Sequence, residues 1–161
     1  MATGTALRLG RALRRAAVVV TVLLATLAGS LTLSAGGAGA LTLSRARHAA
    51  VHLAADQQGK PYAWGADGPG AFDCSGLVYY VYHRRLGVRL PRTANEQWHA
   101  TRHVRKSRVH RGDLVFFLSG GHAYHVGIYA GHHRLWHAPY PGSHVRLQRI
   151  WTSAWRAGRV G

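Results

Sequence analysis

The stretch Phe72-Asp73-Cys74-Ser75-Gly76-Leu77-Val78-Tyr79-Tyr80-Val81-Tyr82, running on to Leu86-Gly87, holds the only cysteine of the chain. Leu77, Val78, Val81 and Tyr82 recur at steps of three and four, so the spacing predicts a helix from Cys74 to Leu86 with one buried face, closed by Gly87. Cys74 then stands at the amino end of that helix. A small apolar core position does not require Asp73, Ser75 and Gly76 as neighbours.

Upstream, Ser44 to Gln58 carries a spaced apolar set (Ala50, Val51, Ala54, Ala55) and stops at Gly59-Lys60-Pro61, which predicts a first helix. Between the two helices, Tyr62 to Asp73 contains Gly65, Gly68, Pro69 and Gly70 and reads as a loop. Downstream, a short helix is expected near Thr93 to His99, and the basic stretch from there to His110 has little periodicity. Three β-type runs follow at Leu114–Leu118, His125–Tyr129 and Arg134–Ala138, each bounded by turn residues, with a fourth at Val145–Leu147. Helices first and strands afterwards predict an α+β domain, its N-terminal helices packed on one face of a small antiparallel sheet.

A chain of 161 residues with 47% hydrophobic content supports one core. Twenty-one basic residues against five acids give a formal charge of +16, nearly all of it arginine, and such a surface attracts polyanions. Arg8, Arg11, Arg14 and Arg15 precede an apolar run from Ala16 to Leu33, and Ala38-Gly39-Ala40 follows. That order predicts a secretory signal peptide over residues 1–40, cleaved after about Ala40, and a mature domain over 41–161. An uncleaved anchor helix over Ala16–Leu33 is the alternative. Cleavage takes four arginines and no acid from the formal charge, leaving +12. Outside the cell an anionic envelope is the expected partner; no nucleic acid, and no stable membrane span after cleavage, is expected.

A lone cysteine in an oxidising compartment is a free or an intermolecular thiol. A helix amino terminus and a nearby imidazolium both lower a thiol's pKa, which would make Cys74 a nucleophile; a buried, idle hydrophobe is the alternative. Twelve histidines are available as its base. His125 begins a strand, and His137 lies twelve residues on, where antiparallel pairing would bring the two together and let one orient the other. Asp113 reads as a turn residue ahead of its strand rather than as a catalytic acid. The set Trp98, Trp136, Trp151 and Trp155 reads as core and rim packing.

Six motifs then stand in order: Lys60-Pro61-Tyr62-Ala63-Trp64-Gly65, Phe72-Asp73-Cys74-Ser75-Gly76-Leu77-Val78, Leu90-Pro91-Arg92-Thr93, Gly112-Asp113-Leu114-Val115-Phe116-Phe117, His125-Val126-Gly127-Ile128-Tyr129 and His137-Ala138-Pro139. This series resembles that of NlpC/P60 domains and covers roughly Arg45 to Val160. The resemblance implies a papain-like core and hydrolysis of amide bonds in peptidoglycan stem peptides, typically between D-γ-glutamyl and a diamino acid such as meso-diaminopimelate. It assigns Cys74 as nucleophile, His125 as base and His137 as the group orienting His125. Tyr62 matches a tyrosine that points at the nucleophile, while Asp73 and Ser75 match positions that in some relatives grip the amino end of the stem peptide; for Asp73, capping the helix is the other reading. Trp64 is read as cleft wall or core, and Arg92 as a contact to an acidic substrate or a surface charge. No cofactor and no metal is implied.

Two departures stand out: Ala66 follows Gly65 where many relatives have a second glycine, and no SH3-like, LysM or coiled-coil segment is expected within these 161 residues. The arginine-rich surface is then expected to supply adhesion to anionic wall polymers. Three other readings compete: an envelope-binding module with an idle thiol, a metal site drawn from His122, His125, His132, His133 and His137, and acyl transfer by the same Cys-His pair.

Overall fold

The protein is described here by a computed structural model covering residues 35–161, with side chains from residue 42 onward. The expected leader falls almost wholly outside the described residues, as does the alternative anchor Ala16–Leu33. Gly36–Gly161 forms one unit. Among the described residues no helix is long and apolar enough to cross a membrane.

Helix α1 spans Ala35–Ala55, so it starts nine residues ahead of the expected Ser44 and ends three before Gln58. Its Ala50, Val51 and Ala54 are buried, as their spacing requires. Helix α2 spans Cys74–Tyr79 and continues as a π-helical turn over Tyr80–Arg85. The expected helix therefore exists, with its second half rewound; Gly87 follows it at φ +66°. Helix α3, Ala94–Ala100, opens on a capping box in which Thr93 and Glu96 satisfy one another's backbone donors.

Six strands form one antiparallel sheet: β1 Arg102–Val104, β2 Leu114–Ser119, β3 His122–Gly131, β4 Arg134–His137, β5 Arg146–Arg149 and β6 Trp155–Arg159. Their spatial order is β1-β6-β2-β3-β4-β5. All four expected strands are present, with β3 starting three residues earlier than expected and β5 shifted past Val145. Two strands, β1 and β6, have no counterpart among the expected runs, and β6 lies inside the sheet between β1 and β2. Its sequence Trp-Arg-Ala-Gly-Arg has no β-branched residue, and its alternation runs only over Trp155, Arg156 and Ala157. Gly158 is there for space, since a Cβ would lie 2.3 Å from Thr101 Oγ1 and 2.8 Å from the Phe116 ring.

The three helices are covered by a core that includes Phe72, Leu77, Val81, Phe116, Val126 and Ile128. A smaller cluster of Val115, Phe117, Leu135, Ile150, Trp155 and Ala157 packs around the alternate residues of the same strands. Asp113 ties the periphery together: it is fully buried, accepts from Arg159 Nε at 2.7 Å and Nη2 at 2.6 Å, and accepts the His110 backbone N–H at 2.8 Å. Arg47 of α1 approaches the same carboxylate at 3.9 Å. Beside it, the buried Tyr82 hydroxyl donates to the Gly112 carbonyl.

The loop between α1 and α2 is stitched down at both ends. The Gly59 N–H donates to the Val145 carbonyl at 2.9 Å, the Val145 N–H donates to the Lys60 carbonyl at 2.8 Å, and the Tyr62 N–H donates to the Ser143 carbonyl at 2.9 Å. At the other end the Ala63 N–H donates to the Phe72 carbonyl at 3.1 Å, the Asp73 N–H to the Ala66 carbonyl at 2.8 Å and the Gly65 N–H to Asp73 Oδ2 at 2.9 Å, which holds the segment from Tyr62 to Ala66 beside the start of α2. Gly76 seals the contact on the helix side, because a Cβ there would sit 2.1 Å from the Ala66 carbonyl oxygen.

Candidate active site

Cys74 is the first residue of α2 and lies half-buried at the meeting point of two lobes of one cleft. Asp73 caps the helix by accepting the Gly76 N–H at 2.6 Å. The same carboxylate accepts the Gly65 N–H at 2.9 Å, the Ser75 hydroxyl at 3.2 Å, and both terminal nitrogens of Arg92 at 3.0 and 2.7 Å. Five donors saturate its roughly four lone-pair sites. Asp73 thus acts as cap and as anchor for Arg92. Arg92 also donates to Ser75 Oγ and the Ala66 carbonyl, so it is neither a loose surface charge nor an unpaired cation waiting for an acidic ligand.

The sequence places Cys74 where a helix terminus should lower its pKa. The structure reverses that expectation. Burial pushes the thiol up and outweighs the lowering by the backbone N–H groups of Val126, Ser75 and Cys74 itself, while the nearby Asp73 carboxylate adds to the rise. Nor is an imidazolium available, because burial brings His125 down to about 3, with His137 contributing. Burial likewise lowers His137 to about 4, against a hydrogen bond to Gln148 Oε1 that raises it. The resting pair is a neutral thiol and a neutral imidazole.

His125 and His137 come together as the strand pairing predicts, with His125 Nε2 2.9 Å from His137 Nδ1. On the far side His137 Nε2 lies 3.1 Å from Gln148 Oε1, and that oxygen also accepts Arg146 Nε at 2.9 Å. This chain fixes every proton. An arginine can only donate, so the Gln148 oxygen faces it; His137 Nε2 must therefore donate, its Nδ1 must accept, and His125 Nε2 must donate. His125 is left with Nδ1 as its lone-pair nitrogen. Neither Gln148 nor Arg146 is legible as a site residue in sequence, because only the β4–β5 register sets them beside His137.

Trp151 covers the histidine pair. It stacks on Phe117 at 4.3 Å and stands 5.6 Å from the His137 ring and 6.1 Å from that of His125. Tyr62 lines the same lobe, its hydroxyl pKa raised by burial, then by Cys74 and Asp73. Trp64, read as wall or core, is wall: it is 89% exposed and borders both lobes. Trp64, Tyr124, Tyr140 and Trp151 are the large exposed hydrophobic side chains among the described residues, and all four border this cleft. Among the described residues no group of three His, Cys, Asp or Glu side chains is placed to hold a metal ion. His132 and His133 occupy the β3–β4 turn at φ 50° and 58°, and His122 is exposed at the start of β3.

The buried neutral histidines make a prediction about stability. Each binds fewer protons when folded, with pKa about 3 and about 4, than when unfolded, near 6.5, so stability rises with pH across that interval and is lost as pH falls from 6.5 toward 4. The thermal midpoint should fall steadily over that range, and His137→Gln should flatten the fall. Equal pH slopes for the two proteins would show that His137 is not held neutral by burial.

The sequence model described as "NlpC/P60 family" matches residues 59–161. Murein DD-endopeptidase MepH of Escherichia coli K12 is 38% identical over 124 residues, covering 74% of this chain and 46% of the relative. Probable endopeptidase p60 of Listeria monocytogenes is 42% identical over 103 residues, 64% of this chain and 21% of that one. The chain thus spans about half or less of the length of these relatives. Among solved structures, the NlpC/p60 domain of the peptidoglycan hydrolase SagA superposes with a TM-score of 0.65 at 34% identity, covering 71% of this chain and 98% of that one.

Proposed function

The chain belongs to the NlpC/P60 family, and from that premise we propose that it is a cysteine endopeptidase hydrolysing an amide bond in peptidoglycan stem peptides, the bond between D-γ-glutamyl and a diamino acid. The observation that carries this reading is the proton chain Gln148–His137–His125 beside the Cys74 thiol at the centre of an open cleft. His125 Nδ1 accepts the thiol proton as Cys74 Sγ attacks the substrate carbonyl. The Cys74 N–H at the helix start and the hydroxyl of Tyr62, which lines the same lobe, are the donors assigned to the oxyanion. The proton then passes from His125 to the departing amine, and water, deprotonated by the same nitrogen, releases the acyl half from the sulfur.

Relatives named endopeptidase support the reaction class, and SagA, named a peptidoglycan hydrolase, supports the substrate. MepH is named a DD-endopeptidase, so cleavage of a cross-link is the second reading. Incubating the protein with defined monomeric and cross-linked muropeptides and weighing the products separates the two. If every peptide stays intact, the proposal fails.

Gln148 supplies a sharper test of the proton chain. Gln148→Leu is expected to lower kcat by about tenfold or more with little change in KM, because His137 loses the acceptor that fixes its tautomer. The ring-nitrogen shifts of His137 should move toward the other tautomer, a change that loss of packing alone would not produce.

Export with removal of residues 1–40, and retention on anionic wall polymers, complete the proposal. Arg102, Arg105, Arg108, Arg111 and Arg156 are exposed and have no carboxylate partner among the described residues. Retention on isolated walls should weaken as salt is added. Salt-independent retention would remove the electrostatic account, and a mature protein still starting at Met1 would remove the cleavage account.

A further inference from the structure

The two lobes that meet at Cys74 differ in charge. The first, about 610 Å³, contains Arg92, but Asp73 neutralises it through contacts of 2.7 and 3.0 Å. The second, about 620 Å³, is walled largely by aromatic and proline side chains, and Arg146 is the only permanently charged residue lining it. Ion pairs among the described residues engage Arg47, Arg84, Arg92 and Arg159, and none engages Arg146. Its Nε donates to Gln148 Oε1 at 2.9 Å, and its guanidinium lies 5.5 Å over the Tyr140 ring. Neither contact uses the two terminal NH₂ groups, so the guanidinium is oriented while its fork stays open.

We propose that Arg146 seats a free carboxylate on the leaving half of the substrate, so that the enzyme selects a diamino dicarboxylic acid over a diamino monocarboxylic one. The inference rests on the amide-hydrolysis reading of the same site. In that reaction His125 protonates the departing amine, and both His125 and His137 line the second lobe and not the first. The amine therefore leaves into the lobe that holds Arg146. An apolar-walled lobe strengthens a charge-assisted bond relative to one in open water, and carboxylate is the anion whose two oxygens match the fork.

The test separates binding from turnover. Full-length Cys74→Ala protein is titrated with meso-diaminopimelate and with its diamide, followed by NMR, with and without Arg146→Gln. The acid is expected to bind roughly tenfold tighter or more, and the preference should collapse to near unity in Arg146→Gln; Arg146→Lys should keep part of it. Acid and diamide binding alike, or a preference that survives Arg146→Gln, would overturn the assignment. Turnover is read as the ratio of kcat/KM for stem peptides carrying diaminopimelate or lysine at the leaving position. That ratio should fall in Arg146→Gln through KM, whatever common loss follows from disturbing Gln148. If wild type cleaves neither peptide while the acid preference holds, the hydrolysis reading falls and the carboxylate seat stands.

Discussion

Cys74→Ala is expected to lower kcat on muropeptides by on the order of 10⁵ or more while leaving the thermal midpoint nearly unchanged. The chemical loss is total, since no other thiol exists in the chain to form the acyl intermediate. The structural loss is small: Cys74 is half-buried, and the cap that holds the helix belongs to Asp73. His125→Ala should cost a similar factor, and the double variant should be no slower than either single one, because nucleophile and base act as a unit. Additive losses, or more than about a hundredth of wild-type activity in Cys74→Ala, would mean that hydrolysis does not run through this thiol.

Asp113→Ala is expected to remove about 3–5 kcal/mol of stability, lowering the thermal midpoint by about 10 °C or more. The carboxylate is fully buried and is the shared acceptor for Arg159 of β6, the His110 backbone and, at longer range, Arg47 of α1. Its removal leaves a guanidinium and a backbone N–H without their acceptor, which costs far more than deleting an exposed pair. Asp113→Asn keeps one acceptor oxygen and should lose less. Activity measured well below the midpoint should survive in both, because Asp113 lines neither lobe of the cleft. A shift below about 2 °C would show that the network contributes little.

Much of this architecture is legible without coordinates. Period-four spacing in Leu77, Val78, Val81 and Tyr82 marks the buried face shared by α2 and the π-helical turn that continues it, and turn residues bracket β2, β3 and β4. β6 escapes because its role depends on what it must not carry: Gly158 fits against Thr101 and Phe116, a constraint imposed by residues about forty and sixty positions away. β1 is three residues long, too short for any period to show.

The motif order and the single cysteine named Cys74, His125 and His137 together, and strand pairing over twelve residues places the histidines side by side. Local sequence supplies the neighbouring strands there, while the irregularity between Tyr129 and Gly131 sets the register that leaves His125 and His137 diagonal to one another. Tertiary structure alone decided the protonation of that pair, the saturation of Asp73 by Arg92, and the arrival of Gln148 and Arg146 behind and beside His137. A helix terminus argues for an ionised thiol, yet burial outweighs it, and burial is a property of everything packed around a group. Hydrogen-bond partners and desolvation are fixed by neighbours in space, which sequence spacing encodes within one helix or hairpin but not across the fold.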